Sequence, residues 1–148
     1  MIDDIDDMEI SPPTVFEVRI LIKHAFIDPT SINNRLGIRY SNAWGVGEQR
    51  RTPKGTILNG TYEYTMWNYS KWFEFSGGIE NEIDEILLIL SGNLTFVREI
   101  VRTGGVVSVI LNIPGNKHFF GEISQKHMHS ITTLGIKFEF EVFPENND

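Results

Sequence analysis

His127 and His129 form a His-X-His pair, a spacing that on a β-strand sets both imidazoles on one face, where they could chelate a metal ion. Ser124 as a cap and Gly135 as a stop argue instead for a helix across the pair. Two residues apart on a helix means nearly opposite sides. None of the four histidines has the acid–histidine spacing of a zincin motif. His127 and His129 therefore read as surface residues, and His24 and His118 have still less chemical support. Glu82, Asp84 and Glu85 lie on the polar side of a helical pattern, and Glu139 and Glu141 on the water side of an alternating strand. Catalytic carboxylates need surroundings that separate their pKa values, which a solvated face does not supply. There is no cysteine, and Ser31 and Ser130 lie outside any Gly-X-Ser-X-Gly elbow. Gly45-Val46-Gly47 lacks the Lys-Ser/Thr pair of a phosphate cradle. The expectation is a protein without enzymatic activity, metal or cofactor.

Binding chemistry has better support. Gln49-Arg50-Arg51-Thr52-Pro53-Lys54-Gly55 is the one basic cluster, and Trp44, Trp67, Tyr69 and Trp72 lie near it in sequence. Arg and Trp are enriched in binding hot spots, and Arg among aromatics can stack on single-stranded nucleic acid. Against this, tryptophans are commonly core residues and arginines commonly solvated. Both readings stay open, although a long Gly-rich loop is a usual seat of binding.

The net charge of −7 is unevenly placed: the first ten residues hold five acids and no base, the rest 15 acids and 13 bases. This disfavours binding to a phosphate backbone and suits a basic protein partner. Asp3, Asp4, Asp6 and Asp7 of the arm thus join Trp44, Arg50, Arg51, Trp67 and Trp72 as candidate partner-binding residues. A disordered arm that only aids solubility would have the same composition. The most apolar run, Ile86 to Leu90, is five residues, far short of a membrane span. The acidic start is unlike a secretory signal. The expected compartment is the cytoplasm.

The elements that would position these residues follow from periodicity. Val15 to Lys23 alternates, with Phe16, Val18, Ile20 and Ile22 on one side, and predicts a half-buried strand. Asp28-Pro29 starts a short helix that Gly37 stops. Residues 39 to 60 read as irregular, Thr61 to Trp67 as a strand, and Lys71 to Phe75 as its continuation after a bend. Ile83, Ile86, Leu87 and Leu90, then Leu94, Val97, Ile100 and Val101, predict two consecutive helices, the second capped by Asn93. Val106 to Ile113 predicts a strand buried on both faces, with His118 to Ile123 returning as its hairpin partner. After the helix from Ser124, Lys137 to Phe143 alternates, with Phe138, Phe140 and Val142 inward. Leu-Gly-Ile closes a helix twice, at Leu36-Gly37-Ile38 and Leu134-Gly135-Ile136, each time with Ser-Ile shortly before.

The predicted order is β-α-β-α-α-β-β-α-β. The expected fold is α+β, a mostly antiparallel sheet with helices packed on one face and two pseudo-repeated strand-helix-strand units. Residues 13–144 form one domain between the acidic arm, 1–12, and a polar tail, 145–148. The stretches Asp28-Pro29, Ser31 to Ile38, Trp44-Gly45-Val46-Gly47-Glu48, Gly121-Glu122-Ile123-Ser124 and Leu134 to Phe143 resemble the domain of unknown function family 4279. The resemblance covers roughly residues 14 to 144. It implies a bacterial α+β domain with no established activity and supplies no catalytic residues. Together these readings predict a protein-binding module, in its sharpest form an immunity protein that neutralises a basic toxin domain. The alternative is a small-ligand or single-stranded RNA binder using the aromatic and basic loop.

Overall fold

The computed structural model describes residues 15–75, 78–115 and 118–143, so the arm, with Asp3, Asp4, Asp6 and Asp7, and the polar tail lie outside the described residues. The strands are β1 (Val15–His24), β2 (Asn42–Trp44), β3 (Gln49–Arg51), β4 (Ile57–Thr61), β5 (Thr65–Glu74), β6 (Val106–Pro114) and β7 (Lys137–Phe143). The helices are α1 (Pro29–Leu36), α2 (Glu80–Ser91), α3 (Leu94–Arg102) and α4 (Gln125–Leu134). Five strands form one sheet in the order β2-β5-β1-β6-β7, antiparallel except for the parallel pair β6–β7, and β3–β4 is a separate hairpin. The class is α+β.

The alternation of β1 sets the architecture. Phe16, Val18, Ile20 and Ile22 are fully buried against the helices. Ile32 and Leu36 of α1, Ile83, Ile86, Leu87 and Leu90 of α2, Phe96, Val97 and Ile100 of α3 and Leu134 of α4 join them in one core. Glu17, Arg19, Leu21 and Lys23 point to the opposite face of the sheet. β6 is buried on both faces: Val107, Val109 and Leu111 under the helices, and Ser108, Ile110 and Asn112 on the other side.

Several expectations need correction. His118 to Ile123 is not a strand, and β6 takes β7 as its neighbour, through α4. Phe119 turns toward the core instead, its ring centroid 4.8 Å from that of Phe75 and 5.8 Å from that of Phe16. Gly121 lies so close to Ile79 that a Cβ would sit 2.6 Å from Ile79 Cδ1. The segment therefore closes one end of the core and is not free to extend along a sheet edge. The 39–60 stretch is also more regular than its glycines suggest, since it holds β2, β3 and most of β4. β5 runs unbroken from Thr65, where a strand from Thr61 and a later bend were expected. Asn93 stands at the start of α3 without a side-chain cap bond; its amide donates to the Ile89 carbonyl of the preceding helix at 3.0 Å.

On β7 the expected sides hold and the expected burial does not. Phe138, Phe140 and Val142 pair in register with the core-facing Val109, Leu111 and Ile113. Yet β7 is an edge strand, and Phe140 and Val142 stay 56% and 60% exposed.

Both Leu-Gly-Ile glycines adopt the left-handed conformation, with φ 71° at Gly37 and 72° at Gly135. The units they close differ: β6 and β7 are neighbours, whereas β5 separates β1 from β2. A Cβ at Gly37 would meet no atom within 4 Å, so the cost of Gly37→Ala is conformational alone. Urea unfolding should report a loss of about 1 kcal/mol.

Two histidines, His24 and His127, are structural, and for His127 this corrects the surface reading. His24 is 2% exposed. Its Nδ1 accepts the backbone N–H groups of Phe26 (3.1 Å) and Ile27 (3.2 Å), and Nε2 lies 2.7 Å from Thr103 Oγ1. His127 is 4% exposed and completes a capping box with Ser124 at the start of α4. Its Nε2 lies 2.5 Å from Asp84 Oδ1, which ties α4 to α2.

A candidate binding groove

The turn at Pro53-Lys54-Gly55 folds β3 back on β4. Gly55 takes φ 90°, its N–H donates to Thr52 O at 2.8 Å, and the Thr56 N–H donates to Thr52 Oγ1 at 3.0 Å. Gly47 supplies a second left-handed turn, φ 81°, and brings Glu48 opposite Tyr62, where Tyr62 N–H donates to Glu48 O at 2.9 Å. The hairpin thereby stands beside β2, the edge strand of the main sheet. Between them lies a groove of about 920 Å³ whose lining includes Asn42, Trp44, Glu48, Arg50, Arg51 and Tyr62.

The aromatics form a stack. Trp44 lies 4.7 Å from Tyr62, centroid to centroid, with the rings inclined by 16°, and 6.4 Å from Tyr64. Lys23 Nζ sits 5.7 Å above the Tyr64 ring. The Trp44 indole N–H is buried without a hydrogen-bond acceptor. Main-chain carbonyls orient the two arginines: Arg50 Nη1 donates to Asn59 O and Arg51 Nη1 to Gly55 O, each at 3.3 Å. The Tyr62 hydroxyl braces Arg51 by exchanging hydrogen bonds with its backbone N–H and carbonyl, both at 3.3 Å. Neither arginine is in any of the ion pairs found among the described residues. The groove therefore offers two cations and a flat aromatic wall, a set suited to anionic and planar groups.

Of the sequence-derived candidates, the groove unites Trp44, Arg50 and Arg51. Trp67 does not belong to it. It is fully buried on the helix side of β5, and its indole N–H donates to Asn33 Oδ1 at 2.8 Å. Trp72 is 63% exposed at the far end of β5, directly opposite Glu17. Tyr62 was missed. The signal for it was the Pro-Lys-Gly turn, which predicts a hairpin and so carries Tyr62 back beside the residues that follow Trp44.

Among the described residues no three His, Asp or Glu side chains form a group that could hold a metal ion. No described helix is long and apolar enough to cross a membrane. Compared with protein-family models, curated proteins and solved structures, the chain finds no match.

Proposed function

We propose that this chain is a non-enzymatic, cytoplasmic protein-binding module. The observation that supports it is the meeting of Trp44, Arg50, Arg51 and Tyr62 along one groove. These are residue types that dominate binding energy, the more so when they are prearranged. The stack and the carbonyl-held guanidiniums supply that arrangement before any partner arrives. In its sharpest form the module is a bacterial immunity protein: the net charge of −7 steers a basic toxin domain toward it, and the groove then engages anionic and planar groups on that domain. The test is calorimetric titration with the purified product of the adjacent gene. Trp44→Ala and the pair Arg50→Ala/Arg51→Ala should each weaken binding by about 2 kcal/mol, or roughly thirtyfold. A neighbour that encodes no toxin and does not bind, or variants that bind like the parent, would end this reading.

The arginines beside stacked aromatics also favour a second reading, the binding of single-stranded RNA or a small planar ligand. Arg50→Ala/Arg51→Ala would then lower retention on an oligoribonucleotide and flatten its salt dependence. No retention at low ionic strength rules it out.

A further inference from the structure

The face of the sheet opposite the helices carries a second, separate set of polar groups. Register places Trp72, Glu17, Asn112 and Glu141 in one row across β5, β1, β6 and β7. Glu17 is only 8% exposed, yet it takes part in none of the ion pairs found among the described residues. The one hydrogen-bond partner of its carboxylate there is the Asn112 side-chain N–H. Asn112 is also 8% exposed, and its Oδ1 is buried with no donor. Arg19 approaches Glu141 at 3.7 Å, and Ser108 Oγ donates to Glu139 at 3.3 Å in the rows beside it. On this face Glu17, Glu139 and Glu141 stand with Arg19, whose Nε is buried without an acceptor, and with Lys137, opposite Ser108.

A buried carboxylate without a cation and a buried carbonyl without a donor are each costly. The carboxylate is relieved by a hydrogen-bond donor group that carries positive charge. The row runs strand by strand at about 4.8 Å spacing, so its oxygens line up and do not converge on a point. That spacing suits an extended planar cation better than a metal ion. Trp72 adds an exposed aromatic face beside Glu17, on which a guanidinium can stack.

We propose that the row Trp72–Glu17–Asn112–Glu141 is a recognition site for an arginine side chain presented by a basic partner protein. The guanidinium stacks on Trp72 and donates to the Glu17 carboxylate, which the Asn112 side-chain N–H holds in place. The site rests on the protein-binding reading for its biological use, but it is a different surface from the groove and can be tested without it.

The probe is an acetylated, amidated Gly-Gly-Arg-Gly-Gly peptide, titrated into the full chain while the Trp72 indole and Asn112 side-chain amide resonances are followed. Peptides with lysine or with uncharged citrulline in place of arginine serve as comparisons. The arginine peptide should shift both resonances saturably, the citrulline peptide should not, and the lysine peptide should bind more weakly. Glu17→Gln keeps an acceptor for Asn112 and removes only the charge; it should weaken binding about tenfold. Trp72→Ala, at an exposed position, should weaken it about threefold. Arg50→Ala/Arg51→Ala should leave peptide affinity unchanged, so a failed groove and a failed row are distinguishable. The proposal is overturned by equal binding of the citrulline or lysine peptide, by unchanged affinity in Glu17→Gln, or by the absence of a saturable shift.

Discussion

Trp67→Ala should cost about 3–5 kcal/mol, the range for removing a large aromatic side chain from a packed interior. Trp67 is fully buried, one of the largest side chains in the core, and the space it leaves cannot be filled by small movements of its neighbours. Its indole N–H and the Tyr40 N–H both donate to Asn33 Oδ1, at 2.8 Å and 3.0 Å, so one amide oxygen joins α1, β5 and the chain entering β2. Alanine removes the ring and one of these two bonds. Against an ordinary domain stability of about 5–15 kcal/mol, such a loss leaves the variant near its unfolding threshold. Urea unfolding followed by circular dichroism measures it. Trp44→Ala provides the contrast: the side chain is half-buried at the groove, and its removal should be felt in binding far more than in stability. A Trp67→Ala chain that unfolds at the parental urea concentration would mean that the core does not depend on this ring.

The different fates of the three tryptophans mark what the sequence could and could not convey. All three lie within 29 residues of one another, and their residue type alone assigns them together, to core or to interface. On an antiparallel strand, parity decides. Trp67 lies opposite the core-facing Ile22, whereas Trp72 pairs with Glu17 on the other side. The expected bend near residue 70 hid this, because parity can be carried along a strand only if the strand is continuous. Where the pattern is strong the reading is close: β1 agrees within a residue, the α2 spacing gives all four of its buried residues, and the α3 spacing gives Val97 and Ile100 but not Phe96, while Leu94 and Val101 are only partly buried. Where tertiary partners decide, local pattern was silent. Phe119 could have faced a strand neighbour or the core, and only the approach of Gly121 to Ile79 selects the core. Phe140 and Val142 alternate as core residues do, and no local signal says that the helix layer ends before reaching them. The groove was half visible: its basic loop and Trp44 stood out, but their union with Tyr62 depends on two left-handed glycines that re-aim the chain. The polar row on the open face was not visible at all, since Glu17, Asn112 and Glu141 lie in three separate strands and meet only through register.

His24, like His118, has the least chemical support by sequence, yet its removal carries the second largest expected effect. It ends β1, turns the chain by accepting the N–H groups of Phe26 and Ile27 on Nδ1, and reaches Thr103 at the end of α3 through Nε2. The Thr103 hydroxyl donates onward to Glu99 O at 2.7 Å, so in this arrangement Nε2 carries the proton and Nδ1 is bare. The ring must therefore be neutral. Burial pushes its pKa below 6.5, and the nearby Glu99 opposes this only in part. The sign of the pH effect follows. As the pH falls through 6.5 the unfolded chain takes up a proton at His24 while the folded chain does not, so the unfolded state gains protons and stability declines. Above 6.5 both states are neutral at this site and its full contribution is present; below the lowered folded value the loss levels off. Gly105 shows how tightly the ring is held, because a Cβ there would lie 2.7 Å from His24 Cδ2 and 2.8 Å from Ile100 O. His24→Ala leaves two backbone N–H groups and the Thr103 hydroxyl short of a partner and opens space under Gly105, at an expected cost of about 2–4 kcal/mol at neutral pH. The variant should also lose this site's share of the slope between pH 6.5 and the lowered value, so parent and variant stabilities draw together as the solution is acidified. Urea midpoints measured across that interval decide the matter: a constant difference between the two chains would mean that His24 binds its proton equally in the folded and unfolded states.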